Sequence, residues 1–254
     1  MVMEDLTWAE AKTKFEESEL ALIPTGSIEQ HGLHAPLKTD SFVAERMSRE
    51  VSEEMDVICS PTLKIGISSH HKQFWGTLWL KPETFKSCVK DVAESIHYHG
   101  IDKIIFVNGH GGNRCSLEEA SSELRSNSKM YATAWSWFDS VEEKISEIFN
   151  NEAIYHSDAP ETSVLWFLDE KSIRKDRLQA SSRGGADKWG IFRGGSKINS
   201  DVIDFSENGT VGDPENADPE KGKSLYREAK SNLKSLIKWL RKADPEKLKE
   251  SPHK

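Results

Sequence analysis

Short apolar runs alternate with amphipathic stripes along most of the chain. The continuous runs at residues 20–24 and 104–107 are typical of strands buried on both faces of a sheet, and residues 57–59 and 131–137 predict two more strands. Helical spacing and helix start signals predict helices at residues 8–17, from 40 or 41 onwards, from 82 until Gly100, and at 114–125, 140–148, 162–168 and 220–242. This alternation predicts an α/β fold with a parallel sheet covered by helices on both sides.

Two segments lack this periodicity. Residues 60–81 predict a long irregular segment, and residues 181–219 are rich in Gly, Ser, Asn and Asp, which predicts loops. Neither an internal repeat nor a clear linker divides the chain. We therefore expect one domain over residues 1–243, followed by a charged, frayed tail at 244–254.

Composition excludes several classes of function. A net charge of −8 argues against nucleic acid as a partner, and no apolar run approaches the roughly 20 residues of a membrane helix. The N-terminus has no basic stretch followed by an apolar core, so we expect a cytoplasmic protein. Three widely spaced cysteines fit reduced thiols. A small-molecule substrate, with no nucleic acid and no membrane, is the expected partner.

Metal-binding residue types follow two of the predicted strands. Glu29, His31 and Asp40 lie between the first apolar run and a helix, and His110 lies directly after the run at 104–107. The carboxyl ends of parallel strands meet at one edge of a sheet, where ligands bind. Imidazole and carboxylate groups are ligands of zinc, manganese and iron, and the sequence does not choose among these metals. We therefore predict a metal centre at this edge.

Each of these residues also has a simpler interpretation. Asp40 would serve equally as the N-cap of the next helix, and a single histidine is usually hydrogen-bonded in the core or on the surface. Gly109, Gly111 and Gly112 would permit a tight strand–helix turn with or without a ligand. His34 is a weaker candidate for the site. The histidines without a matching carboxylate are not predicted as ligands: His70, His71, His97 and His99.

A third segment supplies another imidazole and another carboxylate. His156 and Glu161 are five residues apart and bracket a turn before the helix predicted at 162–168. Hydrolysis at a metal-held water needs a group that takes a proton and later delivers it to the leaving nitrogen. His156 has the right titration range for this role, although an ordinary loop histidine would have the same spacing.

Three motifs in this order resemble the creatininase (creatinine amidohydrolase) family. They are GSIEQHGLHAPLKTD, VNGHGGN and HSDAPETS, and the segment NGTVGDP at residues 208–214 is also similar to the family. The resemblance covers most of residues 20–240. It implies a three-layer α/β/α fold with a mostly parallel central sheet, often assembled as a hexamer. It also implies a two-metal centre that hydrolyses amide-type C–N bonds.

The resemblance assigns roles to the matching residues. Glu29, Asp40 and His110 would hold one divalent ion, His31 and Asp40 the other, with Asp40 shared, and His156 would transfer protons. The chain departs from creatininase at Gly112, where creatininase has a glutamate ligand. Glu161 is the predicted replacement. Relatives with the HGGN form include formamide-cleaving deformylases of flavin and deazaflavin biosynthesis and a peptide-processing enzyme.

The predicted function is therefore metal-dependent hydrolysis of a C–N bond in a small molecule, either a cyclic amide or a formamide. A two-metal phosphoesterase is a rival, but no second Asp-rich motif follows a strand. A non-catalytic metal- or ligand-binding protein is a rival of another class. Gly111, Gly112, Trp135 and Trp137 are predicted to contact substrate, and Trp75 is an alternative stacking partner.

Overall fold

A four-stranded parallel sheet forms the centre of the molecule. We analysed a computed structural model that describes residues 2–128, 130–150 and 154–244. The strands are β1 (Leu20–Thr25), β2 (Ile58–Cys59), β3 (Lys103–Asn108) and β4 (Tyr131–Ser136), in the order β2-β1-β3-β4. β1 pairs with β3 over its whole length, so that Thr25 lies opposite Asn108 at the carboxyl ends.

Eight α-helices surround this sheet in the described part of the chain. Their start signals act as the sequence predicts: Thr7 and Glu10 form a capping box, and Pro82 occupies a first-turn position. The helices are α1 (Trp8–Glu17), α2 (Thr39–Met55), α3 (Pro82–Tyr98), α4 (Arg114–Ser128), α5 (Glu142–Ile148), α6 (Ala159–Leu168), α7 (Leu178–Arg183) and α8 (Pro219–Lys242).

Alternate residues of the strands enter two separate cores. Leu20 and Leu22 of β1 pack in a cluster with residues of α2 and α8, whereas Ala21 and Ile23 pack in a cluster with residues of α3 and α4. Because successive side chains of a strand point to opposite faces, each face of the sheet is covered by its own helices. The predicted α/β/α layering is confirmed.

Two details differ from the sequence prediction. α6 begins at Ala159 rather than near 162, because the Asp158 side chain accepts a hydrogen bond from Glu161 N and caps the helix earlier. The prediction of loops throughout 181–219 is wrong in part, because Ile191–Arg193 (β5) and Ser196–Ile198 (β6) form an antiparallel hairpin. Its turn residues Gly194 and Gly195 both have positive φ, which suits a tight hairpin.

Other sequence predictions concern the ends, the thiols and membrane insertion. The predicted tail lies outside the described residues apart from Asp244, so it stays a prediction, as does the single-domain boundary. Cys59, Cys88 and Cys115 are free thiols. Among the described residues, none of the helices has the length and apolar character needed to cross a bilayer.

Candidate metal centre

The carboxyl ends of β1 and β3 bring the first group of polar residues together. Gly109 N donates to Thr25 O, which continues the strand pairing into the turn. A Cβ at Gly109 would collide with the Asp40 carbonyl oxygen, so glycine is needed where α2 begins against this turn. The cap position of α2 is Lys38, whereas Asp40 lies in the first turn. The N-cap interpretation of Asp40 is therefore wrong, and its carboxylate faces the sheet edge.

The Asp40 carboxylate lies between two histidines. Its Oδ1 is 3.0 Å from His31 Nε2, and its Oδ2 is 3.0 Å from His110 Nδ1. All three side chains are buried. One carboxylate with an imidazole nitrogen beside each oxygen has the arrangement expected of a ligand shared by two cations.

A further glutamate stands beside each histidine. Glu29 Oε1 is 3.3 Å from His110 Nδ1, and Glu161 Oε2 is 3.5 Å from His31 Nε2. The oxygen of Glu161 also accepts a 2.6 Å hydrogen bond from Ser157 N, which fixes the carboxylate at the start of α6. The result is two neighbouring triads that share Asp40.

Backbone carbonyls orient both central histidines. His31 Nδ1 donates to Glu29 O at 3.1 Å, and His110 Nε2 donates to Ile67 O at 3.0 Å. In the neutral rings this leaves the lone pair on His31 Nε2 and on His110 Nδ1, the nitrogens that face the carboxylates. A carbonyl that fixes the imidazole tautomer in this way is typical of metal-ligating histidines.

Several buried acceptor atoms in this group have no hydrogen-bond donor. Within the described part of the chain, both oxygens of Glu29 and Oδ2 of Asp40 are unsatisfied although they are almost inaccessible to solvent. Burying such oxygens is costly unless a partner compensates them. The ligating atoms of Glu29, His31 and Asp40, which come from both triads, lie within 4.8 Å of one another, and so do those of His31, His156 and Glu161. The donor set and its missing partners fit divalent cations.

Without bound metal, the charges of these groups shift one another's pKa values. Burial lowers the pKa of His31, but the carboxylates of Asp40 and Glu161 outweigh it and raise that pKa well above its ordinary value. Burial raises the pKa of Glu161, but His31 outweighs it and lowers that pKa to about 2. The Glu161 carboxylate is thus ionised and requires a positive charge beside it.

His156 lies next to this centre and directs an unprotonated nitrogen towards it. Its Nε2 donates to Gln30 O at 2.8 Å, and its Nδ1 lies 3.7 Å from Glu29 Oε1. Burial, together with the nearby positive charge of His31, lowers the pKa of His156. The ring is therefore neutral near pH 7, with an acceptor nitrogen directed towards the site.

The centre opens into a broad cleft of about 1560 Å³. Gly111 and Gly112 line it beside His110, and Trp137 lines it although only 2% of this residue is exposed. Trp135 packs against the hydrophobic core and is not part of the lining. Trp75 is 98% exposed and borders a different depression. Of the predicted aromatic contacts, only Trp137 is thus placed beside the cleft.

Three residues of the cleft region were not predicted from sequence. His71 Nε2 lies 3.4 Å from Glu29 Oε1, so the expectation that His71 lacks a carboxylate partner is wrong. Gln30 contacts both His71 and His156, and Trp189 packs against the same histidines, tilted to His71 and edge-on to His156. In the sequence, His71 is marked only by the pair of histidines within the long irregular segment. Trp189 lies in the segment predicted as loops, where no pattern indicates a functional residue.

His34 and Gly112 also have defined structural roles. His34 is fully buried and hydrogen-bonds to Ser181 Oγ and Thr162 Oγ1, so it ties α7 to α6 rather than facing the two triads. A Cβ at Gly112 would collide with Ile67 O and with the His110 ring. The local packing therefore leaves no room for a side chain at residue 112, the position where creatininase carries a glutamate.

Comparison with known proteins identifies the family of this chain. The creatininase family model (Creatinine amidohydrolase) matches residues 4–237. The mycofactocin precursor peptide peptidase of Mycobacterium ulcerans (strain Agy99) is 30% identical over 230 residues, covering 86% of this chain and 84% of the relative. The creatinine amidohydrolase of Pseudomonas putida is 29% identical over 131 residues, covering 48% and 50%.

Solved structures share the fold. A crystal structure of creatinine amidohydrolase (creatininase) superposes with a TM-score of 0.82 at 21% identity, covering 96% of this chain and 98% of the other. The structure "Creatininase Mn" has a TM-score of 0.81 at 21% identity, covering 95% and 99%. The family model spans nearly the whole chain and the fold agrees with it, so this protein belongs to the creatininase family of hydrolases.

Proposed function

We propose that the protein hydrolyses an amide C–N bond with two divalent metal ions, zinc, manganese or iron, at the shared-carboxylate centre. Glu29, Asp40 and His110 hold one ion, and His31, Asp40 and Glu161 hold the other. Names of solved relatives are consistent with this proposal, because one creatininase structure is described as a Zn–Zn type and another as a Mn form.

The observation that carries the proposal is the set of buried, unpaired acceptors. Among the described residues, both oxygens of Glu29 and one of Asp40 lack hydrogen-bond donors, and in their neutral forms His31 and His110 direct a lone pair at the carboxylates. Facing acceptors repel one another unless a cation lies between them. Each triad supplies three protein ligands, the number typical of catalytic sites that keep a position for water or substrate.

The residues around the centre can carry out the proton transfers of amide hydrolysis. Bound divalent ions would polarise the substrate carbonyl and lower the pKa of water. His156 Nδ1 accepts the proton of the attacking water, and the Nε2–H bond to Gln30 O holds the ring in the tautomer that permits this. The same nitrogen then delivers the proton to the leaving nitrogen when the C–N bond breaks.

Two substrate classes compete: a small cyclic amide or formamide, and a peptide. A cleft of about 1560 Å³ exceeds the roughly 300–1,000 Å³ of pockets for small molecules. Relatives that cover most of the chain are named mycofactocin precursor peptide peptidase. The cleft therefore favours a peptide, and we propose a peptide amide bond as the first substrate class to test, with small amides second.

A direct assay distinguishes catalysis from metal binding alone. Purified protein is loaded with zinc, manganese or iron(II) and incubated with creatinine, formamides, short peptides and a phosphodiester, and the products are measured. Release of an amine or formate that chelation abolishes supports the proposal. Cleavage of the phosphodiester alone, or metal binding without any cleavage across the panel, would contradict it.

We also propose a homo-oligomer, which the family resemblance gives as a hexamer. Trp75 is 98% exposed, and Leu33, Leu78 and Trp79 are each nearly half exposed. Large apolar side chains on the surface commonly mark protein interfaces. Light scattering should give a mass several times that of one chain, and Trp75→Ser should lower it. A monomer at micromolar concentration would exclude this assembly.

A further inference from the structure

Gln30 occupies a buried position between two histidines of the cleft. Its Oε1 accepts a hydrogen bond from Gly32 N at 2.9 Å. Its Nε2 lies 3.0 Å from Gly209 O, 2.7 Å from His71 Nδ1 and 2.9 Å from His156 Nε2. The orientation of this amide therefore decides where the His71 ring carries its proton, whereas the backbone carbonyl of Gln30 fixes the His156 ring.

Only one orientation of the Gln30 amide satisfies its surroundings. Flipping the amide would place its oxygen against the Gly209 carbonyl and its NH₂ group against the Gly32 N–H, and both contacts would repel. With the amide nitrogen as placed, two N–H groups face three acceptor candidates. His156 Nε2 lies 2.8 Å from Gln30 O, which can only accept, so this nitrogen carries a hydrogen. The two amide hydrogens then go to Gly209 O and His71 Nδ1.

The consequence for His71 is the opposite of that for His156. Because His71 Nδ1 accepts from the amide, the neutral ring carries its hydrogen on Nε2. A ring nitrogen that accepts a hydrogen bond carries no hydrogen, so the contact with the Gln30 amide itself selects the neutral Nε2–H form of His71. His71 thus presents a donor to the cleft, whereas His156 presents an acceptor.

The His71 donor has no aligned acceptor among the residues that the structure describes. Nε2 is buried without a hydrogen-bond partner, and Glu29 Oε1 at 3.4 Å is not aligned with it. The ligating atoms of Glu29, His71 and His156 lie close enough to suggest a further cation position. A protonated ring nitrogen cannot ligate a metal, so this group is not a third metal site. His71 also lines the cleft.

We propose that His71 is a catalytic residue that donates its Nε2–H to the oxygen of the scissile carbonyl, and that Gln30 is the positioning residue that sets the donor at His71 and the acceptor at His156. This inference rests on the proposed amide hydrolysis. The two rings stand 4.5 Å apart between centroids, so the His71 donor and the His156 acceptor lie side by side.

The electron and proton changes balance with these two histidines. The water oxygen forms a bond to the carbonyl carbon, the π electrons move to the carbonyl oxygen, and His156 Nδ1 takes the water proton. His71 Nε2–H stabilises the negative oxygen through a hydrogen bond and transfers no proton. Collapse of the tetrahedral intermediate re-forms the carbonyl and breaks the C–N bond. The proton on His156 is returned to the leaving nitrogen.

Kinetics and metal analysis test the role of His71. Removing one donor to an oxyanion typically lowers kcat by about 10²–10³-fold. His71→Leu should therefore lose about this factor in kcat while KM and the number of bound metals stay close to wild type. His71→Gln, which keeps an N–H donor, should recover part of the loss. His97→Gln, at the far end of α3, is the matched control. Loss of metal in His71→Leu, or an unchanged kcat, would overturn the proposal.

Nuclear magnetic resonance tests the role of Gln30 without any assay of activity. In metal-free protein with ¹⁵N-labelled histidine, His71 should show a protonated Nε2 and an unprotonated Nδ1. Gln30→Glu replaces the donor with an acceptor, so the His71 proton should move to Nδ1, and Gln30→Leu provides a second variant should the glutamate prevent folding. A wild-type protein that cleaves no amide refutes the proposed function, whereas a protonated His71 Nδ1 in wild type refutes this inference on its own.

Discussion

The two halves of the proposed metal centre are built on different kinds of support. Glu29, Asp40 and His110 follow the central strands β1 and β3 or begin α2, and each is buried to at least 95%. Glu161 lies instead in the first turn of α6, and 14% of its side chain is exposed. One half is therefore fixed by the sheet, and the other by a helix start and its preceding turn.

Hydrogen bonds, rather than strand pairing, hold the second half in place. Ser157 adopts a left-handed backbone conformation, with φ of 57°, and its N–H donates to Glu161. Asp158 caps α6, and His34 binds Thr162 one residue after Glu161. Such local contacts are more easily altered than a sheet register, so we expect substitutions in this half to remove one ion selectively.

The largest expected effect is that of a substitution at the residue shared by both halves. Asp40→Asn should remove both metal ions and lower turnover to background, because an amide cannot balance the charge of two cations. The helix should still form, since Asp40 is not its cap. Elemental analysis, circular dichroism and the amide assay measure these outcomes. Two metals per chain with near-normal turnover would show that Asp40 is not shared.

A substitution at the proton-transfer residue should separate chemistry from metal binding. His156→Asn should keep both ions and lower kcat by about 10²–10⁴-fold, the usual contribution of a general acid–base group. The physical reason is that Asn offers no nitrogen that titrates near pH 7. Metal content and kcat are measured between pH 6 and pH 9. Unchanged kcat across this range at equal metal content would exclude the role.

Stability against pH should depend on whether metal is bound. In metal-free protein the Glu29 and Asp40 carboxylates outweigh burial and raise the pKa of His110, and the His31 pKa is raised likewise. Protonated histidines therefore stabilise the fold below an unfolded pKa of about 6.5, and this stabilisation is lost as the pH rises through the folded pKa. Metal replaces these protons, so it should increase the melting temperature more at pH 8.5 than at pH 6. An increase that is independent of pH would contradict this account.

A smaller effect is expected at the glycine that departs from creatininase. Gly112→Ala introduces a Cβ against Ile67 O and the His110 ring, so one of them must shift. Overpacking of this kind costs about 1–3 kcal/mol, and the ion beside His110 should bind more weakly. Gly111→Ala is the matched control, because a Cβ there meets nothing within 4 Å. Equal melting temperatures and metal affinities for the two variants would refute the packing argument.

The sequence predicted the sheet-supported half better than the helix-supported half. Buried apolar runs identify β1 and β3, and polar residues directly after them must meet at one sheet edge, which is where the structure places Glu29 and His110. Glu161 was assigned as a ligand only through the family motif and the absence of a ligand side chain at Gly112. Its approach to His31 depends on the Ser157 conformation and the α6 cap, which no periodicity reveals.

Contacts between distant segments were the least predictable part of the site. His71 reaches Glu29 because residues 60–81 fold back along the site, where Leu78 N donates to Ile28 O. Trp189 reaches His71 and His156 from a segment without regular structure. Both placements result from tertiary packing of irregular chain, for which hydrophobic spacing carries no signal.

The number of metal ions per chain in Glu161→Gln tests the central claim most directly. The account predicts two ions in wild type and one in the variant, because His31 and Asp40 alone would retain the second ion poorly whereas the ion held by Glu29, Asp40 and His110 stays bound. Glu170→Gln, at an exposed glutamate paired with Lys175, is the matched control and should keep two ions. Two ions in Glu161→Gln, with a defect confined to kcat or KM, would contradict the proposed ligand set.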